Sequence, residues 1–214
     1  MAQFQEHKGF KRMFKEDKLK IEQLMDNLKG KNVRYSISKK SSRNVQETID
    51  DLKESIEGIS HILHNFYIHQ YDTFVTLEDI IKDISKFLER KEGAREKIEA
   101  SLIEREKYGS TVLAKENAML LHCRTEGVDK VNFQVIRLNS ALEIKTYDNK
   151  EKVDLITLMV VPEQCNKNHL DVLRYISQSM IEKERFIEIL RTKNVDELKK
   201  DLKIMLLDYY TGKF

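Results

Sequence analysis

The sequence predicts an α/β fold in which helices flank a small mixed β-sheet. Helical periodicity runs from about residue 76 to 107, strand-like segments follow between about 118 and 161, and helical periodicity returns after residue 170. Helices on both sides of a block of strands are typical of a sheet covered by helices. The chain of 214 residues is long enough for one well-cored domain of roughly 150 residues plus an appendage.

The first 44 residues are basic and weakly patterned. One short helix is predicted around Leu19–Leu28, and the Lys- and Ser-rich stretch KGKNVRYSISKKSSRN after it is typical of an exposed connector. A charge run of this kind is usually a solvated linker. We therefore interpret residues 1–44 as a basic linker without direct nucleic-acid contact.

Residues 45–66 carry a heptad pattern. Apolar residues recur at alternating steps of four and three, which is the spacing of a coiled-coil stripe: Val45, Ile49, Leu52, Ile56, Ile59, Leu63 and Phe66. This heptad stripe predicts a helix that pairs with another helix. The partner is either the chain's own domain or a second copy, which would make a homodimer through 45–66.

Two helices are predicted next, at the start of a domain spanning 67–214. Thr76 followed by Asp79 is a capping pair, and the apolar face of the first helix runs from Leu77 to Leu88. Gly93 separates it from a second helix that ends near Lys107. A turn at Gly109–Thr111 then leads into the strands.

Four strand-like segments form the middle of the domain. They are Ala118–His122, Val131–Leu138, Ala141–Tyr147 and Leu155–Val161, the last reading as a strand buried on both faces and closed by Pro162. Further helices follow from Leu170 and Phe186, and Asn194 with Glu197 caps a final helix.

Composition excludes several classes of protein. The net charge is only +2, and no run of about 18 apolar residues could span a membrane. The N-terminus lacks the apolar segment of a signal peptide, and two cysteines are too few for a disulfide framework. A cytoplasmic protein without membrane insertion is expected.

The candidate chemistry centres on two histidines, because phosphate-binding glycine loops, G-x-S-x-G and H-E-x-x-H motifs are missing. His122 follows the apolar run Ala118–Leu121 and precedes a polar loop; His169 also follows a buried strand. A side chain at the exit of a strand is held rigidly yet is accessible to a partner. Two such histidines can meet at one end of a sheet.

Two chemistries could use this pair: metal binding and phosphoryl transfer. His122, Cys123, Cys165 and His169 form a nominal zinc set, but adjacent His122–Cys123 is an awkward chelate and no C-x-x-C spacing is present. No metal or cofactor is therefore predicted. The alternative is phosphoryl transfer, because neutral imidazole is a competent nucleophile near pH 7 and the phosphoryl group then needs cationic neighbours. Arg105 is the candidate cation.

These residues resemble a known family. The segment LIEREKYGSTVLAKENAMLLHC, followed by NKNHLDVL, is similar to the type-2 EIIA (mannitol/fructose-type) domain of the bacterial sugar phosphotransferase system, from about Phe66 to Phe214. The resemblance implies that His122 accepts the phosphoryl group and that His169 is a second active-site histidine. It also implies that Arg105 contacts the phosphoryl group and that Ser110 and Thr111 supply a turn hydroxyl.

One departure from transport domains of this family changes the expected context. Leu121 and Cys123 flank the acceptor where those domains usually carry proline and a small residue. The string LLHCRTEGV is more similar to the C-terminal EIIA-like domain of mannitol-operon-type transcription activators with phosphorylatable PRD modules. In those proteins an EIIB-like domain precedes, and residues 16–28 could be the remnant of its last helix.

Three functions follow from the sequence. The leading prediction is a phosphohistidine-accepting regulatory domain of a phosphotransferase-controlled transcription regulator, with HPr or an EIIB domain exchanging phosphate at His122. The second is a transport EIIA that passes phosphate from HPr to an EIIB cysteine. Both describe a phosphoryl acceptor or carrier and not a turnover enzyme acting on a small molecule. The third is a non-phosphorylated dimerisation module built on residues 45–66.

Overall fold

The computed structural model describes residues 45–146, 149–164 and 167–211. The predicted linker 1–44, the short helix within it and Cys165 therefore lie outside the described residues. The elements, in chain order, are α1 (Val45–His64), β1 (Ile68–Tyr71), α2 (Leu77–Leu88), α3 (Ala94–Lys107), β2 (Thr111–Leu113), a 3₁₀ turn (Ala114–Glu116), β3 (Ala118–Thr125), β4 (Asn132–Lys145), β5 (Lys150–Pro162), α4 (Lys167–Glu182), α5 (Glu184–Thr192) and α6 (Val195–Thr211).

The five strands form one mixed sheet in the order β1-β4-β5-β3-β2. β5 is central, antiparallel to β4 and parallel to β3, while β1 pairs parallel with β4 and β2 pairs antiparallel with β3. The α/β prediction of a small mixed sheet flanked by helices is confirmed. Since β3 and β5 run in parallel, the loops that follow them leave the sheet at the same end of its strands.

Two apolar layers cover the sheet, one on each face. The alternation of β3 shows the division: Met119 and Leu121 pack with α2 and α3, whereas Ala118 and Leu120 pack with α1, α4, α5 and α6. All four side chains are buried. A strand whose two faces are both buried is held by its neighbours on every side, so the residues at its end are well positioned.

The predicted helix caps are present. Thr76 and Asp79 form a reciprocal capping box at the start of α2. At the start of α6 the backbone N–H of Glu197 donates to the Asn194 side chain at 3.0 Å. These bonds satisfy N–H groups that have no partner within the helix.

The C-terminal half of α1 packs into its own domain. Ile59, Ile62 and Leu63 are buried, and Phe66 just after the helix stacks on Phe133 of β4 with ring centroids 5.7 Å apart. This half of the heptad stripe therefore packs within the chain. A second copy as the partner of the rest of the stripe, at residues 45–56, stays a prediction.

The strands differ from the sequence expectation in two respects. The segments Val131–Leu138 and Ala141–Tyr147, predicted separately, belong to one strand, β4, whose register shifts between Arg137 and Leu142. The two short edge strands β1 and β2 have no counterpart among the four predicted segments. None of the helices in the described ranges is both long and apolar enough to cross a membrane.

Candidate functional site

His122 lies near the carboxyl end of β3, where the sheet edge is open. β2 pairs with Ala118–Leu120 only, so the part of β3 that carries His122 extends beyond its edge neighbour. Four buried residues precede His122, which is itself half-buried. The strand therefore holds the imidazole firmly at an open edge, as the apolar run in the sequence indicates.

The C-terminal end of α3 brings Arg105 against His122. The Arg105 Nε donates to His122 Nε2 at 3.4 Å, Nη1 donates to the Gly109 carbonyl at 2.9 Å, and Nη2 donates to Thr111 Oγ1 at 3.4 Å. A guanidinium has five N–H groups. Three are engaged here, which leaves two for an anion placed beside the imidazole.

The surroundings of His122 favour its neutral form. Burial, and after it the positive charge of Arg105, lower the pKa of His122 below the ordinary value of 6.5, while the Leu120 backbone acts in the opposite direction. Nδ1 is buried and meets no hydrogen-bond partner in the described part of the chain. Nε2, in contact with Arg105, is therefore the ring nitrogen that faces a polar group.

A tight turn after α3 shapes the position of Arg105. The N–H of Tyr108 donates to the Arg105 carbonyl at 3.2 Å, and the N–H of Gly109 donates to the Glu106 carbonyl at 3.0 Å. Gly109 has φ 110°, a region that favours glycine. This conformation turns the chain from α3 into β2 and presents the Gly109 carbonyl to Arg105.

The two predicted turn hydroxyls are placed differently. Thr111 accepts from Arg105 and so keeps its own O–H free to donate. The Ser110 hydroxyl lies 2.6 Å from Glu106 Oε2 and donates to that carboxylate. The structure therefore brings Thr111 together with Arg105 and His122, whereas Ser110 contacts Glu106.

His169 lies in the first turn of α4, which follows β5. β3 and β5 are parallel neighbours, with His122 beside Met159 and Thr125 beside Pro162. The start of α4 and the end of β3 therefore lie at the same end of these two strands. Leu173, one turn further along α4, lines the same depression as His122.

The depression over His122 is open and measures about 780 Å³. Its walls include Glu104 and Arg105 from α3, the exposed ring of Tyr108, Arg124 from β3 and Leu173 from α4. The combination of apolar and charged groups around a recessed imidazole suits contact with another macromolecule more than enclosure of a small one.

Cys123 is a buried neighbour of the site. Its side chain packs in the layer under α2 and α3, and burial raises the pKa of its thiol to about 12. A thiol in this state is a poor nucleophile and a poor metal ligand. In the described ranges, no three His, Cys, Asp or Glu side chains are grouped in a way that could hold a metal ion.

Two participants in this cluster are not predicted from the sequence. They are Glu106, which holds Ser110, and the carbonyl of Gly109, which holds Arg105. Glycine two residues after the last helical position is a recognisable helix-end signal and could have indicated the turn. The Glu106–Ser110 pair, four residues apart across that turn, gives no periodic pattern.

Residues 61–203 match the family model described as phosphoenolpyruvate-dependent sugar phosphotransferase system, EIIA 2. The chain is 34% identical over 77 residues to a nitrogen regulatory protein of Pseudomonas aeruginosa, a match that covers 36% of this chain and spans about half, 49%, of that relative.

Solved structures with a similar fold include the nitrogen regulatory protein IIA-Ntr of Neisseria meningitidis. It aligns at a TM-score of 0.54 with 23% identity, over 65% of this chain and 94% of that chain. Enzyme IIA-Mtl of Escherichia coli, solved in complex with phosphorylated enzyme IIB-Mtl, aligns at a TM-score of 0.47 with 19% identity, over 64% of this chain and 97% of that chain.

Proposed function

Because the chain belongs to the EIIA type-2 family of the phosphoenolpyruvate-dependent sugar phosphotransferase system, we propose that His122 is its phosphoryl acceptor. The observation that carries the proposal is the contact between Arg105 Nε and His122 Nε2 at 3.4 Å. An imidazole kept neutral beside a guanidinium with unused N–H groups combines a nucleophile with a binding site for the group it acquires.

The reacting atom in this proposal is Nε2. Nδ1 is buried, whereas Nε2 is the nitrogen beside Arg105. The Arg105 Nε–H that Nε2 accepts in the unphosphorylated protein shifts to an oxygen of the incoming phosphoryl group, and the freed Nε2 lone pair attacks the phosphorus of a phosphorylated donor histidine. The new N–P bond forms as the donor's N–P bond breaks, the electron pair returns to the donor ring, and the proton of His122 stays on Nδ1.

Arg105 and Thr111 stabilise the phosphoryl group in this scheme. The two free N–H groups of Arg105 and the hydroxyl proton of Thr111 are available to phosphoryl oxygens. Hydrogen bonds from a cation to phosphate oxygens are among the strong ones in proteins. His169, at the start of α4, is proposed as the second active-site histidine.

HPr and an EIIB domain are the proposed partners. Tyr108 is 73% exposed and stands beside charged Glu104 and Arg124 at the rim of the depression. An exposed aromatic ring bordered by charges is a usual component of a protein-binding surface. We also propose that a homodimer forms through the heptad helix 45–66, by way of the N-terminal half of α1. The proposed localisation is cytoplasmic.

We propose a regulatory use of this site, in a phosphotransferase-controlled transcription regulator, ahead of a transport role. The similarity to proteins named nitrogen regulatory supports a regulatory use, and the string LLHCRTEGV supports the transcriptional context. Phosphorylation adds about −1.5 to −2 charge, which is enough to reorder a loop or an interface. Transport, in which the phosphate passes to an EIIB cysteine, is the alternative.

The test is phosphorylation in a reconstituted system. The chain is incubated with enzyme I, HPr and phosphoenolpyruvate, and the product is examined for an acid-labile, base-stable adduct. Wild type and a control variant of the exposed His64, His64→Ala, should each gain one phosphate, and His122→Ala none. Nitrogen–phosphorus coupling in the NMR spectrum should identify Nε2. Labelling that persists in His122→Ala would refute the assignment of His122 as the phosphoryl acceptor.

Regulation and transport are separated by the fate of the phosphate. A transport domain passes its phosphate to an EIIB cysteine within the turnover time of sugar uptake. A regulatory domain retains it, so the adduct should survive mixing with EIIB proteins far longer. Rapid loss of the label to an EIIB cysteine would favour the transport alternative.

A further inference from the structure

The hydroxyl of Ser110 is already in use. Its oxygen lies 2.6 Å from Glu106 Oε2, a short distance for a hydrogen bond between a hydroxyl and a carboxylate. A serine has one O–H to donate. Ser110 therefore has no proton left for a phosphoryl oxygen on His122, and its contribution must be made in another way.

The Ser110–Glu106 bond closes the turn that holds Arg105. Between the two residues lies Gly109, whose N–H is bonded to the Glu106 carbonyl and whose own carbonyl accepts from Arg105 at 2.9 Å. The backbone bond and the side-chain bond together fix both ends of the segment 106–110. If the Ser110–Glu106 bond is lost, only the backbone bond between the Gly109 N–H and the Glu106 carbonyl still fixes the position of the Gly109 carbonyl.

Glu106 depends on the same bond. Burial raises the pKa of its carboxyl, while the bond from Ser110 and the charge of Arg105 lower it. Oε1 is buried and meets no hydrogen-bond partner among the described residues. A partly buried carboxylate is destabilised when its remaining hydrogen-bond donor is removed. It then moves readily into solvent, where water molecules hydrate it.

We propose that Ser110 and Glu106 are positioning residues, whose mutual hydrogen bond fixes the Arg105 guanidinium against His122. The consequence for transfer rests on the proposed function of His122. The effect on the Arg105–His122 contact does not, because that contact exists in the unphosphorylated protein.

The test compares Ser110→Ala with Ser110→Thr, which keeps the hydroxyl. Arg105 lowers the pKa of His122, so the titration of the His122 ring by NMR reports whether the guanidinium stays in place. In Ser110→Ala that pKa should rise, in the same direction as in Arg105→Ala, and the initial phosphorylation rate should fall about 10-fold, since a misplacement of about 1 Å can cost about 100-fold. Ser110→Thr should restore both values.

A double-mutant cycle separates positioning from general damage. If Ser110 acts through Arg105, adding Ser110→Ala to Arg105→Ala should change neither the rate nor the pKa of His122 further. Losses that multiply in the double variant, or a single variant with an unchanged His122 pKa, would overturn the proposal. A changed pKa in a protein that accepts no phosphate would uphold the positioning role and refute the proposed function of His122.

Discussion

Replacement of Arg105 by alanine removes the cation nearest to the proposed acceptor. The variant loses the bond to His122 Nε2 and the two N–H groups of Arg105 that remain available to a phosphoryl group. Loss of one donor aimed at developing negative charge costs about 2.7–4 kcal/mol of barrier, or roughly 10²–10³ in rate. We expect phosphoryl transfer to fall by at least that factor.

The same substitution should leave the fold intact. Arg105 is half-buried and makes three hydrogen bonds, to the Gly109 carbonyl, Thr111 and His122. A net hydrogen bond contributes about 1 kcal/mol, so the loss is about 3 kcal/mol. For a chain of this size about 1 kcal/mol shifts Tm by roughly 2–4 °C.

The assay is the initial rate of labelling from phosphorylated HPr, quenched in base. Arg95→Ala is the matched control, because Arg95 lies on the same helix and pairs with Glu99 at 4.0 Å, away from His122. Arg105→Lys keeps a positive charge without the planar fork, so its rate should fall between those of wild type and Arg105→Ala. A folded Arg105→Ala that labels within threefold of Arg95→Ala would refute the role of Arg105.

Three further predictions concern pH, packing and association. Because burial and Arg105 lower the pKa of His122 below 6.5, single-turnover labelling should hold as pH falls to 6.5 and decline only below it; a decline centred above 6.5 would contradict this. Gly127→Ala should lower the free energy of unfolding by about 1–3 kcal/mol, since a Cβ there would lie 2.7 Å from the Ala94 carbonyl. Gly58→Ala, whose Cβ would meet open space on α1, should raise the free energy of unfolding by about 0.5–1 kcal/mol. Equal unfolding midpoints of the two variants in urea would show that the loop at Gly127 accommodates the extra methyl group. If residues 45–56 contact a second copy, the double variant Leu52→Lys, Ile56→Lys should sediment as a folded monomer from a dimeric wild type. An unchanged dimer would exclude the stripe as its interface.

The elements that the sequence predicts well are those with local causes. The capping box of Thr76 and Asp79 and the bond between Asn194 and Glu197 join residues three positions apart, so their signals are contained in a short window. The run Leu155–Val161 is apolar throughout because β5 is central and buried on both faces.

What the sequence does not predict depends on distant partners. β1 has only four residues and is a strand because it lies beside Val135–Leu138 of β4, more than sixty positions later. β4 reads as two segments because Asn139, Ser140 and Ala141 are exposed where its register shifts.

The candidate site likewise has residues that the sequence indicates and residues whose roles it does not distinguish. The apolar run before His122 indicates a rigid, accessible histidine. Arg105 is a candidate cation from its place at a helix end, and the family resemblance implies its contact with the phosphoryl group. The sequence assigns Ser110 and Thr111 one shared role, because adjacent hydroxyls cannot be distinguished without the direction of each side chain. Successive side chains of an extended segment point to opposite sides, and which of the two faces Arg105 depends on how the turn at Gly109 leads into β2.

Helix α3 is fastened to β3 at both of its ends. At its start, Gly127 from the loop after β3 lies so close that a Cβ would meet Ala94 and Ile98; at its finish, Arg105 reaches His122. The helix spans about 20 Å at 1.5 Å per residue. Because both ends of the helix are tied to the same strand, its exposed side, with Ile103 and Glu104, keeps a fixed position relative to His122. A protein docked along that side would be held in a fixed register with the imidazole.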